Sequence, residues 1–319
     1  MRGGCEDGLP CVKPKLTPSQ QVERMEEKGI TFDIVGKAEA RCFLACSGNY
    51  YKMASYRSLY QKSSAEDGIE RYENLDFGYL VDLFEIDRSL RRLLLSMTLD
   101  IESDAKVDLL SKVDLADEDG YKVVSDYLGS LPPSSRKRLE AAILQRRNDV
   151  YCGGIVRKYG TRMPAWTLLE VVSFGDFNGF YKFCAERWAD ETMAKTHYHL
   201  KMVKSVRNAC AHGNCIVNGF SGGEPTTFRT PPEVTCLLAG SGVGRRARRR
   251  NLSNPRLQQI AVLCFAYRGL TQAGRADRAA VASFLERMRC NEGYYERNLA
   301  ARSSFEFLDK VLTLAVERS

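Results

Sequence analysis

Histidine is scarce in this chain, with three in 319 residues. Each one in a distinctive setting is therefore informative, because no other side chain titrates unperturbed near neutral pH. No apolar run approaches the ~18 residues of a membrane span. The first fifteen residues, MRGGCEDGLPCVKPK, lack an apolar core and a small-residue cleavage pattern, so no secretory leader is read here. A cytoplasmic location without membrane contact is the expectation. No Cys-x-x-Cys pair occurs, although there are eleven cysteines. The odd, scattered set fits buried reduced thiols better than a disulfide framework, and Cys42 and Cys46, one helical turn apart in an apolar segment, are read the same way. Cys210, His212 and Cys215 lie close enough to suggest zinc, but no fourth ligand is near in sequence. A clustered Asp/Glu/His set of the kind that holds magnesium or zinc is also missing, so neither a metal nor another cofactor is expected. There is no internal repeat, and period-two alternation is absent except in EVTCLLA, residues 233–239.

What is present describes an ordinary globular chain, 44% hydrophobic and 27% charged, long enough for a sizeable core. The net charge of +7 is modest, but its distribution is uneven. GRRARRR places Arg245, Arg246, Arg248, Arg249 and Arg250 within six positions. Such a run is either a solvated loop or a phosphate-binding surface, for which the guanidinium fork is well suited. SSRKRLEAAILQRRND (134–149) and RSLRR (88–92) pose the same choice.

Helical periods dominate. LTPSQQVERMEEKG offers Thr17 as N-cap, Pro18 at the first helical position, Gln20 to complete a capping box and Gly29 as a stop. Further helices are expected over 33–48 and 49–62. The longest periodic segment is 76–110, where Leu80, Leu83, Phe84, Leu90, Leu94 and Ile101 recur at helical spacing. Residues 116–150 read as a charged excursion from the core. Helices return at DFNGFYKFCAERWAD and HYHLKMVKSVRNACAHG. Residues 213–254, rich in Gly, Pro, Thr and Arg, read as a long irregular basic loop, and two or three helices close the chain over about 255–317. The expected organisation is a disordered tail (1–12), an N-terminal helical segment (13–75) and a main helical domain (76–319). The expected fold class is all-α.

The most informative stretch is SVRNACAHGN, 205–214. At 100° per residue, Leu200, Val203, Val206 and Cys210 form a buried stripe. Asn208 and His212 stack on the opposite side, and Arg207 falls at the stripe's edge. Gly213 suits a left-handed cap, which puts His212 in the final turn, where the helix dipole favours imidazolium. A protonated histidine can protonate a leaving alkoxide, and an arginine can clamp the phosphate. Together with RNA's own 2′-OH as nucleophile, these are the parts of metal-free RNA cleavage. The same residues could instead do no more than cap helix carbonyls. Tyr50, Tyr51, Tyr56 and Tyr60 are either core packing or a platform for unpaired bases, with Lys52 and Arg57 alongside for phosphate.

Four blocks then occur in order: KPKLTPSQQVERMEEKGITF, NYYKMASY, DFGYLVDLFEIDRSLRRLLLSMTLDIE and RNACAHGN. The first three cover roughly 13–103 and the last lies within 205–214. In this order the chain resembles the Abi family of bacterial abortive-infection proteins. In that family the Arg-Asn-x-x-x-His stretch is the signature of a HEPN domain. The resemblance therefore implies a HEPN-type helical bundle, often dimeric, with metal-independent endoribonuclease activity carried by Arg207, Asn208 and His212. Two copies of the motif commonly meet across a dimer interface. Members of the AbiF type resemble toxins neutralised by a structured noncoding RNA, and they are similar to the HEPN nuclease parts of type VI CRISPR effectors. Gly213 departs from the family pattern, which often has a basic residue there. The expectation is an antiphage RNA-cleaving toxin acting as a homodimer or higher oligomer, with RNA rather than DNA as substrate and partner. The alternative is a protein that sequesters a structured RNA without cutting it.

Overall fold

In the computed structural model, the structure describes residues 15–48, 50–64, 68–220, 224–271, 273–290, 293–296 and 298–317. The expected tail, 1–12, lies outside the described residues. The chain is all-α, as expected. Helix α1 (Pro18–Glu27) begins with the anticipated capping box, in which the Thr17 hydroxyl accepts from the Gln20 amide and the Gln20 side chain accepts from the Thr17 amide. Gly29 follows it at φ +81°. Helices α2 (Lys37–Cys46) and α3 (Tyr50–Tyr56) come next. A short antiparallel hairpin of β1 (Lys62–Ser64) and β2 (Glu70–Tyr72) then leads to Asp76. Asp76 caps α4 (Phe77–Leu115) at the Gly78 amide and also accepts from the Thr31 hydroxyl and the Asp33 amide at 2.7 Å each. One carboxylate thus joins the N-terminal segment to the start of the longest helix.

At 39 residues, α4 is about 58 Å long. Leu80, Leu83, Leu90, Leu94 and Ile101 are buried along it and Phe84 is half-buried, as the spacing predicts. Helices α5 (Gly120–Ser130), α6 (Pro133–Gln145), α7 (Gly153–Tyr159), α8 (Ala165–Val171) and α9 (Phe174–Arg187) follow. The central α10 (Glu191–Ala211) packs on α4, α9 and, from the C-terminal part, α13 (Pro255–Leu270). Helices α11 (Pro232–Gly240), α12 (Arg245–Leu252) and α16 (Leu299–Val316) pack on α13, while α14 (Arg275–Cys290) and α15 (Gly293–Glu296) pack on α4 and α16.

Four expectations need correction. Residues 116–150 are not an excursion: Val123, Val124, Tyr127, Leu139 and Ile143 join the same hydrophobic cluster as α4 and α10, because their helical spacing forms stripes despite the charges between them. The span 213–254 is not one irregular loop. It holds α11 and α12, so the arginine run is helical and EVTCLLA is helix rather than strand. Arginine is a good helix former, and the apolar Ala247 and Leu252 anchor α12 on its neighbours. The cysteines are only partly buried: Cys152, Cys184, Cys210 and Cys264 are, whereas Cys42, Cys46, Cys236 and Cys290 are exposed free thiols. The hairpin departs from the expected run of helices, because three-residue strands carry too little pattern to read. Among the described residues, no helix is long and apolar enough to cross a membrane.

Two of the three histidines are structural. His197 Nδ1 meets the Asn178 backbone and side-chain oxygens at 3.2 and 3.0 Å, and His199 Nε2 meets Glu233 at 3.0 Å. Burial holds both below the usual histidine range, and Glu233 opposes this at His199. Because the folded values are depressed, the stability they confer is complete above about pH 6.5 and is lost as pH falls towards the folded values. Denaturant melts from pH 7.5 to 5 should show stability declining below about pH 6.5. A flat profile over that range would contradict this assignment.

Candidate functional site at the end of α10

Helix α10 ends as its sequence dictates. His212 is the C-cap and Gly213 takes φ +66°. The Asn214 amide donates to the Ala209 carbonyl at 2.9 Å and the Gly213 amide to the Cys210 carbonyl at 3.0 Å, the paired closure of a Schellman motif. Leu200, Val203, Val206 and Cys210 are buried, while His212 is exposed and Arg207 and Asn208 are half-buried. Arg207 Nη1 donates to Asn208 Oδ1 at 3.3 Å. Arg207 Nε is sealed from solvent and has no hydrogen-bond acceptor among the described residues. The guanidinium therefore rests on its neighbour rather than on an acidic partner, and His212 is exposed. One chain brings Arg207 and Asn208 together and leaves His212 one turn beyond.

What holds this helix end is a buried carboxylate. Asp87 of α4 is 0% exposed. Its Oδ1 accepts from the Ile216 and Val217 amides at 2.6 and 3.0 Å, just after the motif. Its Oδ2 accepts from the Tyr56 hydroxyl at 3.0 Å and pairs with Arg91 one turn along. From the other side, Arg256 at the start of α13 donates to the Cys215 and Ile216 carbonyls at 2.9 Å each and to Asn218. Ser58 donates to the Asn218 carbonyl at 2.6 Å. A signal does exist in the sequence: Asp87 and Arg91 stand four apart in an otherwise apolar helix face, where a carboxylate is tolerated only if paired.

The tyrosine block divides. Tyr56 is fully buried against Asp87, and burial, with Cys215 nearby, drives its hydroxyl well above the usual phenol range. It is therefore structural and offers no face to a base. Tyr50 is half-buried against the core. Arg57 donates to the Ala54 carbonyl at 3.0 Å and lies over the Tyr72 ring, so it braces the hairpin. Tyr51, by contrast, is 81% exposed. Next to it, the Lys52 ammonium lies 3.5 Å from where a β-carbon on Gly213 would stand. A cation thus reaches the end of α10 from α3, beside a residue that itself carries no charge.

Cys210 and His212 occupy opposite faces of α10, and burial raises the Cys210 thiol to about 11, with Arg91 opposing. Among the described residues, no group of three His, Cys, Asp or Glu side chains could hold a metal ion.

On α12, Arg245, Arg246, Arg249 and Arg250 are exposed and form no ion pair among the described residues, while Arg248 bonds the Val243 carbonyl. The end of α12 lies near the motif's trailing segment, with Asn254 Nδ2 donating to the Gly219 carbonyl at 2.6 Å.

Asp87→Ala should destabilise the fold by about 3–5 kcal/mol, as expected when one partner of a buried ion pair is removed. Asp87→Asn, which keeps an acceptor for the two amides, should cost less. Equilibrium urea melts of the two variants test this. Equal and small losses would mean that the carboxylate is not what pins the segment.

Comparison with curated proteins and with solved structures returned no match. Comparison with protein families did. The family described as Abi-like protein matches residues 45–218, more than half of the chain. The matched stretch opens on the last turn of α2 and ends at Asn218, so it includes Tyr56, Asp87, the end of α10 and the segment that Asp87 holds. The chain belongs to the Abi-like protein family.

Proposed function

We propose that this Abi-like protein is an abortive-infection RNA-cleaving enzyme of the HEPN type that works without a metal. The observation that carries the reading is the end of α10. Arg207 and Asn208 contact each other there, exposed His212 caps the helix, and Lys52 stands beside Gly213. The RNA's 2′-OH loses its proton to solvent water as its oxygen attacks the adjacent phosphorus, and the P–O5′ bond breaks. His212 as imidazolium donates its proton to the leaving 5′-oxygen. Arg207 and Lys52 offset the charge that builds on the phosphate, and Asn208 orients the guanidinium. The products are a 2′,3′-cyclic phosphate and a 5′-hydroxyl. The separation of Arg207 from His212 in one chain favours a working unit of two copies, each supplying one motif. The four solvent-facing arginines of α12 suit a structured RNA that restrains the enzyme.

Purified protein should cut RNA in excess chelator and leave cyclic phosphate ends. His212→Ala and Arg207→Ala should each lower the rate at least 100-fold with the thermal melt retained. Undiminished cutting by both variants would reject the catalytic reading. Tight RNA binding by a parent chain that cuts nothing would instead support the sequestering role.

Replacing Arg245, Arg246, Arg249 and Arg250 with Ser should weaken binding of a structured RNA. Its log–log salt slope should fall by roughly 0.7 to 0.9 for each phosphate that is no longer neutralised. Anisotropy titrations over a salt series measure this, and an unchanged slope would remove α12 from the RNA surface.

A further inference from the structure

A second basic surface lies apart from α12. Residues 135–162 carry eight basic and two acidic side chains, a net +6 in a chain whose total is +7. They form α6, a single turn over Arg146–Asn148, a tight loop and α7. Two of the basic side chains are engaged with acids, Arg136 with Glu140 and Arg138 with Asp176. Arg146, Arg147, Lys158 and Arg162 are exposed and form no ion pair among the described residues.

The loop between them is built rather than slack. Asp149 accepts from the Tyr151 and Cys152 amides at 2.8 and 2.9 Å, and these bonds hold its carboxyl below the usual range. Gly153 is required by close approach, since a β-carbon there would stand 2.7 Å from the Arg147 carbonyl. That approach seats α7 on the turn, and Arg157 Nη1 donates to the same carbonyl at 2.7 Å. The outcome is an exposed aromatic ring on a fixed loop between two basic segments, Arg146–Arg147 before it and Arg157–Lys158 after it: Tyr151 is 97% exposed and Val150 beside it is 90% exposed. Gathering like charges costs stability, and leaving an aromatic ring in water forgoes its burial. A polyanion with flat, stackable faces offsets both.

We propose that this knuckle is a second RNA-contact surface, which stacks an unpaired base on Tyr151 and takes the flanking phosphates on Arg146, Arg147 and Lys158. The proposal rests on the RNA reading above and adds to it a single-stranded class of contact. Base–aromatic stacking beside cations is the usual device for unpaired strands. The helix that leads into the knuckle, α6, reaches α9 and through it α10. Arg138 reaches Asp176 at 3.6 Å, and the preceding residue, Gly175, lies against Lys204, a β-carbon there standing 3.1 Å from its ammonium. Lys204 is eight residues, about 12 Å along the helix, from His212.

The test uses full-length protein carrying His212→Ala, so that bound RNA is not consumed. Anisotropy is read for a fluorescent single-stranded RNA and for the same sequence in a duplex, over a salt series. Tyr151→Ala should weaken single-strand binding at least five-fold, leave the salt slope unchanged and barely affect the duplex. The double variant Arg146→Gln, Arg147→Gln should lower the slope by about 0.7 per phosphate released. Both should melt as the parent does, since the replaced side chains are exposed. Single-strand affinity and slope at parental values in both variants would overturn the proposal, even while α12 still binds RNA. Binding to phosphatidylserine vesicles that Tyr151→Ala abolishes, with RNA affinity untouched, would overturn it in favour of a membrane-facing loop. Failure of the nuclease reading shows separately, as absence of cutting by the chain with His212 intact.

Discussion

The buried carboxylate of Asp87 is the constraint on which the candidate site depends. It satisfies two backbone amides, a tyrosine hydroxyl and an arginine in a place with no access to water. A charge so placed persists only when every lone pair is used. Three stretches far apart in sequence are thereby forced together: α3, the first third of α4 and the chain that leaves α10. These stretches fall within the 45–218 match, which joins the family relationship to a physical contact rather than to a list of positions.

Charge in this molecule is divided by place rather than balanced. Without α12 and the α6–α7 knuckle, the remaining chain carries a net negative charge. Helix α12 opens on two arginines with no side-chain cap at Gly244, so its charges oppose the helix dipole, and Arg245/Arg249 and Arg246/Arg250 repel at one-turn spacing. Its helical form is owed to packing against α11, α13 and α16. A sequence selected only for stability would not place five arginines there.

Much of this is legible in the sequence, for identifiable reasons. The Thr17–Gln20 box, the apolar stripe of α4 and the cap at Gly213 are local signals, fixed by a few adjacent residues and therefore readable without the fold. The arginine helix reads as a loop because Gly and Pro flank it and no capping residue announces it; only tertiary packing decides its state. Tyr56 and Tyr51 look alike in sequence and differ completely in burial, since one lies over Asp87 and the other on the outer side of α3. Asp87 itself is visible only as part of a block. Its role depends on residues 129 and 130 positions away.

That separation also bears on the order of events as the chain is made. Contacts across such intervals close late, after the loop entropy between them has been overcome. The segment following α10 is gripped by Asp87 from one side and by Arg256 from the other. A growing chain that has completed the motif but not yet reached Arg256 therefore has the helix end only half fastened, and the geometry around His212 is finished only once α13 has begun to pack.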